Sequence, residues 1–470
     1  MTGSHSGGLA RVLSPTEVML LTLSALSPVL SVFIGGNAVL HLAGTGAALG
    51  FIVGALLVAT FALLYAELAS SFPGAGGLYP SLYALLGGRW TFPYVMLAFA
   101  LTFPAVGFAA LGFGSFVHSL LPAISSDIFA FAGLLLAASL AVMNIKRNSK
   151  VIALFLVIEL VALAVLCGVA VHALARPLAE VLAHPVQWSD GAMVPTGSVT
   201  ICLAVVTGGW MSAGANWVTY FAEDMEDAHR RIGRVVAWAG LIAGVTIAVP
   251  VVLVVLAIDD LPAVLSSATP MTTFLMRSGG PLVGSVVTVG VIVAIFNALI
   301  ASIIGNSRLM YAVGRDGVFP APISRVLSYL HPRFRSTAGA TFVIVALAAG
   351  CILLGEQRLL LLITGTFWEY FLMACAVLAG RQAGLLSLRF RIPFHPLVPI
   401  IGLAMGIGVI LANWTDVETG RPSMAILLGM FALAFAWHEI RVRSGRGEVE
   451  LKGSDLDDPL AETDLQLQDR

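Results

Sequence analysis

Charge is scarce in this chain. Of 470 residues, 11% are Asp, Glu, Lys or Arg, against ~25% in a soluble globular chain. That scarcity excludes an ordinary soluble enzyme and a disordered protein. The net charge is -1, so no basic excess exists to neutralise phosphates, and a nucleic-acid partner is excluded. Lysine is nearly missing. Lys146, Lys150 and Lys452 are the only three, none follows a GxxxxG, and nothing points to a P-loop or ATP-driven transport. The four cysteines (Cys167, Cys202, Cys351 and Cys375) form no CxxC pair, which argues against a disulfide framework and a zinc site. The nine histidines are scattered. With no nucleophile–base or metal constellation, neither an enzyme nor a cofactor is expected. The first fifteen residues lack an apolar h-region, so no cleavable signal peptide is expected.

What the chain has is apolar sequence, 58% of it. Runs of about the ~20 residues that cross a hydrocarbon core recur along nearly its whole length. Helices are expected at 16–43, 46–70, 90–120, 127–144, 150–173, 197–222, 232–258, 282–311, 338–355, 358–380, 396–414 and 421–440. Turn signals separate them, such as Phe72-Pro73-Gly74 and Gly420-Arg421-Pro422. The expected fold class is an all-α polytopic membrane protein with twelve transmembrane helices. Alternating from an inside N-terminus leaves four of the 25 basic residues outside: Arg176, Arg277, Arg358 and Arg421. The other 21 fall inside, as the positive-inside rule requires. Both termini are therefore expected inside. Residues 1–15 read as a cytoplasmic N-terminus, 16–440 as the membrane domain, and 441–470 as a disordered acidic cytoplasmic tail.

Two spans carry breakers in their middles. The first contains Ser27-Pro28-Val29-Leu30-Ser31 and then Gly35-Gly36; the sixth contains Thr207-Gly208-Gly209-Trp210-Met211-Ser212-Ala213-Gly214-Ala215-Asn216. Pro28 removes a backbone donor. In lipid every such lost bond needs a partner inside the protein. Broken helices five apart in order are what a pair of inverted five-helix repeats would show, with repeats at about 16–173 and 197–380 and extra helices at 396–440. Helix ends at such breaks can hold a ligand, N–H ends an anion and carbonyl ends an ammonium or metal cation. The alternative is that the small residues simply let helices pack closely.

Three segments then carry a resemblance. Tyr65-Ala66-Glu67-Leu68-Ala69-Ser70-Ser71-Phe72-Pro73-Gly74-Ala75-Gly76-Gly77 follows the second helix, Asn306-Ser307-Arg308-Leu309-Met310-Tyr311-Ala312-Val313-Gly314-Arg315-Asp316-Gly317 closes the eighth, and Phe390-Arg391-Ile392-Pro393 precedes the eleventh. In this order they resemble signatures of the amino acid–polyamine–organocation (APC) superfamily, and the resemblance covers about 15 to 440. It implies a LeuT-like bundle of ten core helices plus two, carrying amino acids or amines without ATP. It also implies that a substrate carboxylate meets the first break, Ser27, Pro28, Val29, Leu30 and Ser31. The substrate amine would meet carbonyls at the sixth-helix break, with Trp210, Met211, Ser212, Ala213, Gly214, Ala215 and Asn216 around it. Four departures stand out. Pro28 replaces a Gly-Ser-Gly turn, Ala215 a gating aromatic and Asn216 an acid, and the loop Asp227–Arg234 lacks the prolines of its counterpart.

Two acids, Glu159 and Glu369, lie inside apolar runs. An ionised carboxylate at mid-membrane costs at least ~2.5–3.5 kcal/mol, and no embedded Lys or Arg is available to pair with either. Each is expected to hold a proton, a substrate ammonium or sodium, or else to be a protonated acid bonded to a neighbouring helix. Some APC relatives carry a lysine near the sodium site of sodium-driven members, at a place that Glu159 occupies here. A fixed ammonium can stand in for a bound cation, whereas a carboxylate must acquire one, so proton coupling through Glu159 is expected, with sodium as the alternative. Glu369, beside Trp368 and Tyr370, is expected to set substrate charge or to be structural. Asn37, Thr102, Asn297 and Ser302 read as inter-helix contacts, and Glu67, Arg308, Arg315 and Asp316 as a cytoplasmic rim, either a gate network or solvated loop ends.

The expected function is therefore a secondary permease for an amino acid or small amine, placed in a bacterial cytoplasmic membrane. Exchange and sodium symport remain alternatives, as does a transporter-like nutrient sensor. The expected topology keeps position 229 inside. A cysteine at His229 should resist an impermeant thiol reagent applied to intact cells, and labelling from outside would overturn the topology.

Overall fold

The computed structural model describes residues 12–143, 145–267, 269–363, 368–387, 389–418, 420–444 and 449–451. Most of the expected N-terminal segment, and the acidic tail from 452 on, lie outside the described residues. The chain is helical almost throughout, as backbone groups without water must be. In order come α1 (Pro15–Leu26), α2 (Pro28–Leu30), a π-turn (Ser31–Gly35), α3 (Gly36–Ala43), α4 (Ala47–Ser71), α5 (Tyr79–Leu86), α6 (Gly88–Leu120), α7 (Ser126–Ala141), α8 (Ile145–His172) and α9 (Leu178–Ala183). A two-stranded antiparallel hairpin follows, β1 (Val186–Ser189) and β2 (Ala192–Pro195). Then come α10 (Ser198–Ser212), α11 (Trp217–Tyr220), α12 (Ala228–Ala257), α13 (Leu261–Leu265), α14 (Pro270–Ser278), α15 (Gly280–Arg315), α16 (Ala321–Leu327), α17 (Ala338–Ile352), α18 (Glu356–Ile363), α19 (Trp368–Gln382), α20 (Leu397–Thr415) and α21 (Gly420–Arg443).

Eight stretches of described residues are long and apolar enough to cross a membrane, counting Pro15–Ser71 as one. Their outer faces are apolar, the reverse of a soluble bundle. On α8 the exposed residues include Leu154, Val157, Ile158 and Val161, and on α15 Leu282, Val286 and Val289. Both stripes keep helical spacing. The acid Glu159 points the other way and is fully buried.

Local chemistry sets the start of the bundle. Ser14 and Glu17 form a reciprocal capping box, Glu17 N donating to Ser14 Oγ at 3.2 Å and Ser14 N to Glu17 Oε2 at 2.9 Å. Pro15 stands where a missing N–H costs nothing. Ahead of the cap, Leu13 N donates to Asp224 O at 2.9 Å, and Glu226 N donates back to Leu13 O at 2.8 Å. This short parallel bridge ties the start of α1 to the loop after α11.

The sixth expected helix breaks inside the expected segment 207–216, in its later part. Gly208 and Gly209 lie within regular α10, and the chain leaves the helix only at Ala213. Their smallness serves packing instead. A Cβ at Gly54 of α4 would lie 2.4 Å from Gly209 N, and one at Gly50 would lie 2.8 Å from Ala204 O. Backbone approach this close needs glycine on the α4 face. A similar contact joins α12 to the other face of α4, where a Cβ on Gly240 would meet Ala62 Cβ at 2.3 Å. At the far end, α21 runs to Arg443, and Val449 and Leu451 are buried in the large core cluster.

Overpacking a close-packed interior costs roughly 1–3 kcal/mol. Gly54→Ala should therefore lower the fraction of detergent-solubilised protein that survives heating as a monodisperse species. Gly408→Ala, where an added Cβ meets nothing within 4 Å, should not. Equal thermal survival of the two variants would show that the α4–α10 contact yields.

Candidate functional site

At the first break the chain turns at Ser27, whose φ of 47° and ψ of 92° end α1. One residue serves both sides of that turn. Ser27 N closes the last turn of α1 onto Leu23 O at 2.9 Å, and Ser27 Oγ accepts from Leu30 N at 3.2 Å to cap α2. The same hydroxyl donates to Glu159 Oε1 at 2.7 Å, and Val29 N donates to that oxygen at 2.9 Å. From α2 the chain continues as helix without interruption through the π-turn into α3. The positive end of that helical run thus meets a carboxyl group from α8. Glu159 Oε2 is buried and has no partner among the described residues.

The second break spans Ala213–Asn216, between α10 and α11. Ala213 N bends back to Trp210 O at 3.0 Å, and Ser212 Oγ donates to Gly208 O at 2.8 Å. No described residue donates to the carbonyls of Met211 and Ser212. This is the negative end of α10, suited to a cation.

A cavity of about 270 Å³ lies between the two breaks and reaches α6, α15 and α19. Of the residues expected at the site, it brings together Leu30, Ser31, Trp210, Met211, Ala213, Asn216 and Glu369. Ser27, Pro28 and Val29 are buried behind that wall, engaged with Glu159 or with core packing. Ser212, Gly214 and Ala215 also stay off the wall. A Cβ on Gly214 would meet Leu26 Cδ1 at 2.5 Å, so a larger residue there would act on the cavity only through Leu26.

Thr102 and Ser302, expected as inter-helix contacts, line the cavity. Thr102 Oγ1 donates to Ala98 O at 2.9 Å and lies 3.4 Å from Asn306 Oδ1 across the α6–α15 seam. Asn37 does join helices, accepting from Met271 N at 2.8 Å. Asn297 is fully buried, and neither of its amide atoms has a partner among the described residues.

Aromatic rings form much of the remaining wall: Tyr94, Trp217, Tyr220 and Tyr370 besides Trp210. The Tyr94 hydroxyl donates to Glu369 Oε2 at 3.4 Å. Tyr370 stacks on Phe61 with ring centroids 3.6 Å apart, and Trp217 meets Tyr220 edge-on at 5.4 Å. Tyr94, Trp217 and Tyr220 carry no sequence signal beyond apolar surroundings, so only the fold could bring them to Glu369. The side chain of Trp368 lies outside the described residues.

Charged residues of the first two signature segments pair with residues outside them in a rim of ion pairs. Arg381 Nε and Nη2 donate to Glu67 at 2.6 Å and 2.7 Å, and Ile392 N donates to Glu67 Oε2 at 3.0 Å. Arg315 grips Glu223 with two bonds of 3.0 Å each, and Ala75 N donates to Glu223 Oε1 at 3.3 Å. Arg308 pairs with Asp224, both buried, and the guanidinium lies 5.3 Å from the centre of the Phe221 ring. Tyr79 donates to Asp316 Oδ2 at 3.0 Å. Each of the four rim residues expected from sequence is thus bonded to a partner on another element rather than to another of the four. Arg381 was legible only as one basic residue among many, because its partner lies 314 positions away.

Residues 13–437 match the model of the family described as amino acid permease. Among individual proteins, the chain is 28% identical over 425 residues to the methylthioribose transporter of Bacillus subtilis (strain 168), covering 85% of this chain and 87% of that protein. It is 24% identical to the branched-chain amino acid permease BcaP of Lactococcus lactis subsp. cremoris (strain MG1363), over 86% of this chain and 89% of that one. It is 23% identical to the serine/threonine exchanger SteT of Bacillus subtilis (strain 168), over 86% and 91%.

Proposed function

The chain belongs to the amino acid permease family, and from that premise we propose that the cavity is the substrate site of a secondary permease working by alternating access. It is an integral membrane transporter. The observation that carries the assignment is that both interrupted helices end on one cavity. Interrupted helices facing each other at a shared cavity are how transporters of this kind build a ligand site from helix ends.

In this reading the twelve apolar segments cross the membrane as two inverted five-helix repeats plus two, in a LeuT-like arrangement. Both termini face the cytoplasm of a bacterial cell. The rim of ion pairs then closes the cytoplasmic side, and opening toward the cytoplasm must part some of it. The cargo is an amino acid or a small amine. The names of the relatives span amino acids and a thio-sugar, so substrate choice rests on the wall of this cavity.

Glu159 is the coupling group in this reading. Its Oε1 receives two donors, so a proton must ride on Oε2, the oxygen that lacks a partner. Movement of the first helix would break the bonds to Ser27 and Val29 and change the hold on that proton. Protonation is then linked to the conformational equilibrium, because the two states bind the proton unequally. Sodium is the alternative cation, since hard cations take oxygen ligands. Glu159→Gln keeps an oxygen for both donors but cannot release a proton. In proteoliposomes it should retain substrate exchange and lose accumulation driven by an imposed pH gradient. Full gradient-driven accumulation by the variant would refute proton coupling at Glu159, and a wild-type requirement for sodium at constant pH would favour the alternative.

A further inference from the structure

We propose that the ligand of this cavity is an organic ammonium ion that carries no free carboxylate, because the protein's own Glu159 already fills the anion-receiving break of the first helix. The inference rests on the reading of the cavity as the transport site and narrows its substrate class.

The first helix break has few donors to offer. Pro28 has no N–H, Val29 N is bonded to Glu159, Leu30 N to Ser27 Oγ, and Ser31 N to Ser27 O at 3.0 Å. A ligand carboxylate arriving there would find each of these positions taken and a second carboxyl group already in place. With its donors spent on Glu159 and Ser27, that helix end has no N–H left for a second carboxyl group. Nor does the wall offer another partner. No Arg, Lys or His lines the cavity among the described residues. What remains for an anion is neutral donors such as the Asn216 side chain, and an unpaired charge in such a site is costly.

The opposite charge is well provided for. Glu369 is the one acid on the wall among the described residues, and its carboxyl lies at hydrogen-bond distance from Tyr94. Trp210, Met211 and Ala213, at the carbonyl end of α10, line the same space. Trp210, Trp217, Tyr220 and Tyr370 present rings, whose faces attract cations, more strongly when water is excluded. A carboxylate, a helix C-terminus and aromatic faces all suit an ammonium group on an apolar body.

Counterflow in proteoliposomes holding the full chain tests this with matched pairs: leucine and isopentylamine, phenylalanine and phenethylamine, ornithine and putrescine. At least one amine should be exchanged and should outcompete its parent amino acid by roughly tenfold or more, the scale of one lost charge-assisted bond. Glu159→Ala empties the cradle and should shift that ratio toward the amino acid by about tenfold, whereas Glu159→Gln, which still accepts from Ser27 and Val29, should leave it near the wild-type value. Glu369→Gln should weaken the amines while leaving competition by the uncharged 2-phenylethanol unchanged. Amino acids exchanged as well as or better than their amines by the wild-type chain would overturn the inference and leave the transport reading standing. Exchange of no pair by the wild-type chain would overturn both. The wild-type ratio decides even if Glu159→Ala fails to insert.

Discussion

A polypeptide that stops being helical inside a bilayer has to find hydrogen-bond partners within itself, and Glu159 is where this chain meets that demand. Its carboxyl oxygen takes the hydroxyl of Ser27 and the amide of Val29 at the interruption of the first helix. Without it, the positive end of the run that begins at Pro28 would face a dry interior. The arrangement also places an ionisable group at the break between α1 and α2. A device that only braced the backbone could have used a neutral amide. In the proposed reading a carboxyl group adds a proton whose binding depends on the geometry of the break, the dependence that a coupled transporter needs.

The second constraint is close approach. α4 is held on one face by glycine contacts to α10 and on another by a contact from Gly240 of α12. That packing leaves α1, α2, α10 and α11 as the elements with broken ends at the cavity. The rim gathers its strength differently, through ion pairs linking α4 to α19 and the loop after α11 to α15, all with buried acids and one, Arg308–Asp224, buried on both sides. Removing one partner of such a pair strands a buried charge and costs ~3–5 kcal/mol, although the intact pair adds little net stability. Such contacts hold one arrangement firmly while leaving the same groups able to be hydrated once exposed, a property suited to a gate.

Much of this was legible in the sequence, for physical reasons. Apolar runs between turn signals mark helices because lipid permits little else. The break at Ser27–Pro28 was legible because proline lacks a donor. Glu159 and Glu369 stood out because an acid in an apolar run needs a reason. Within the sixth segment the sequence did not separate breaking residues from packing ones. Gly208 and Gly209 read as breakers, yet they are packing glycines inside α10, and the chain leaves the helix at Ala213. A glycine pair has the same sequence signature in either role, and the contact on α4 that separates them is about 150 residues away. The aromatic wall was hidden for a similar reason: Tyr94, Tyr220 and Tyr370 come together only when α6, α11 and α19 pack. The link from Glu159 to the first break crosses 132 positions and leaves no local trace.

In the proposed reading one cavity between two broken helices is reached from each side of the membrane in turn. It can be measured directly with a single cysteine at Ser302, on the α15 wall of the cavity, in a chain whose four native cysteines have been replaced. The account predicts labelling by an impermeant thiol reagent from outside intact cells and, separately, from the cytoplasmic face of inverted vesicles, with substrate changing the two rates in opposite directions. Labelling from both sides that rises or falls together, or access from one side only under every condition, would contradict it.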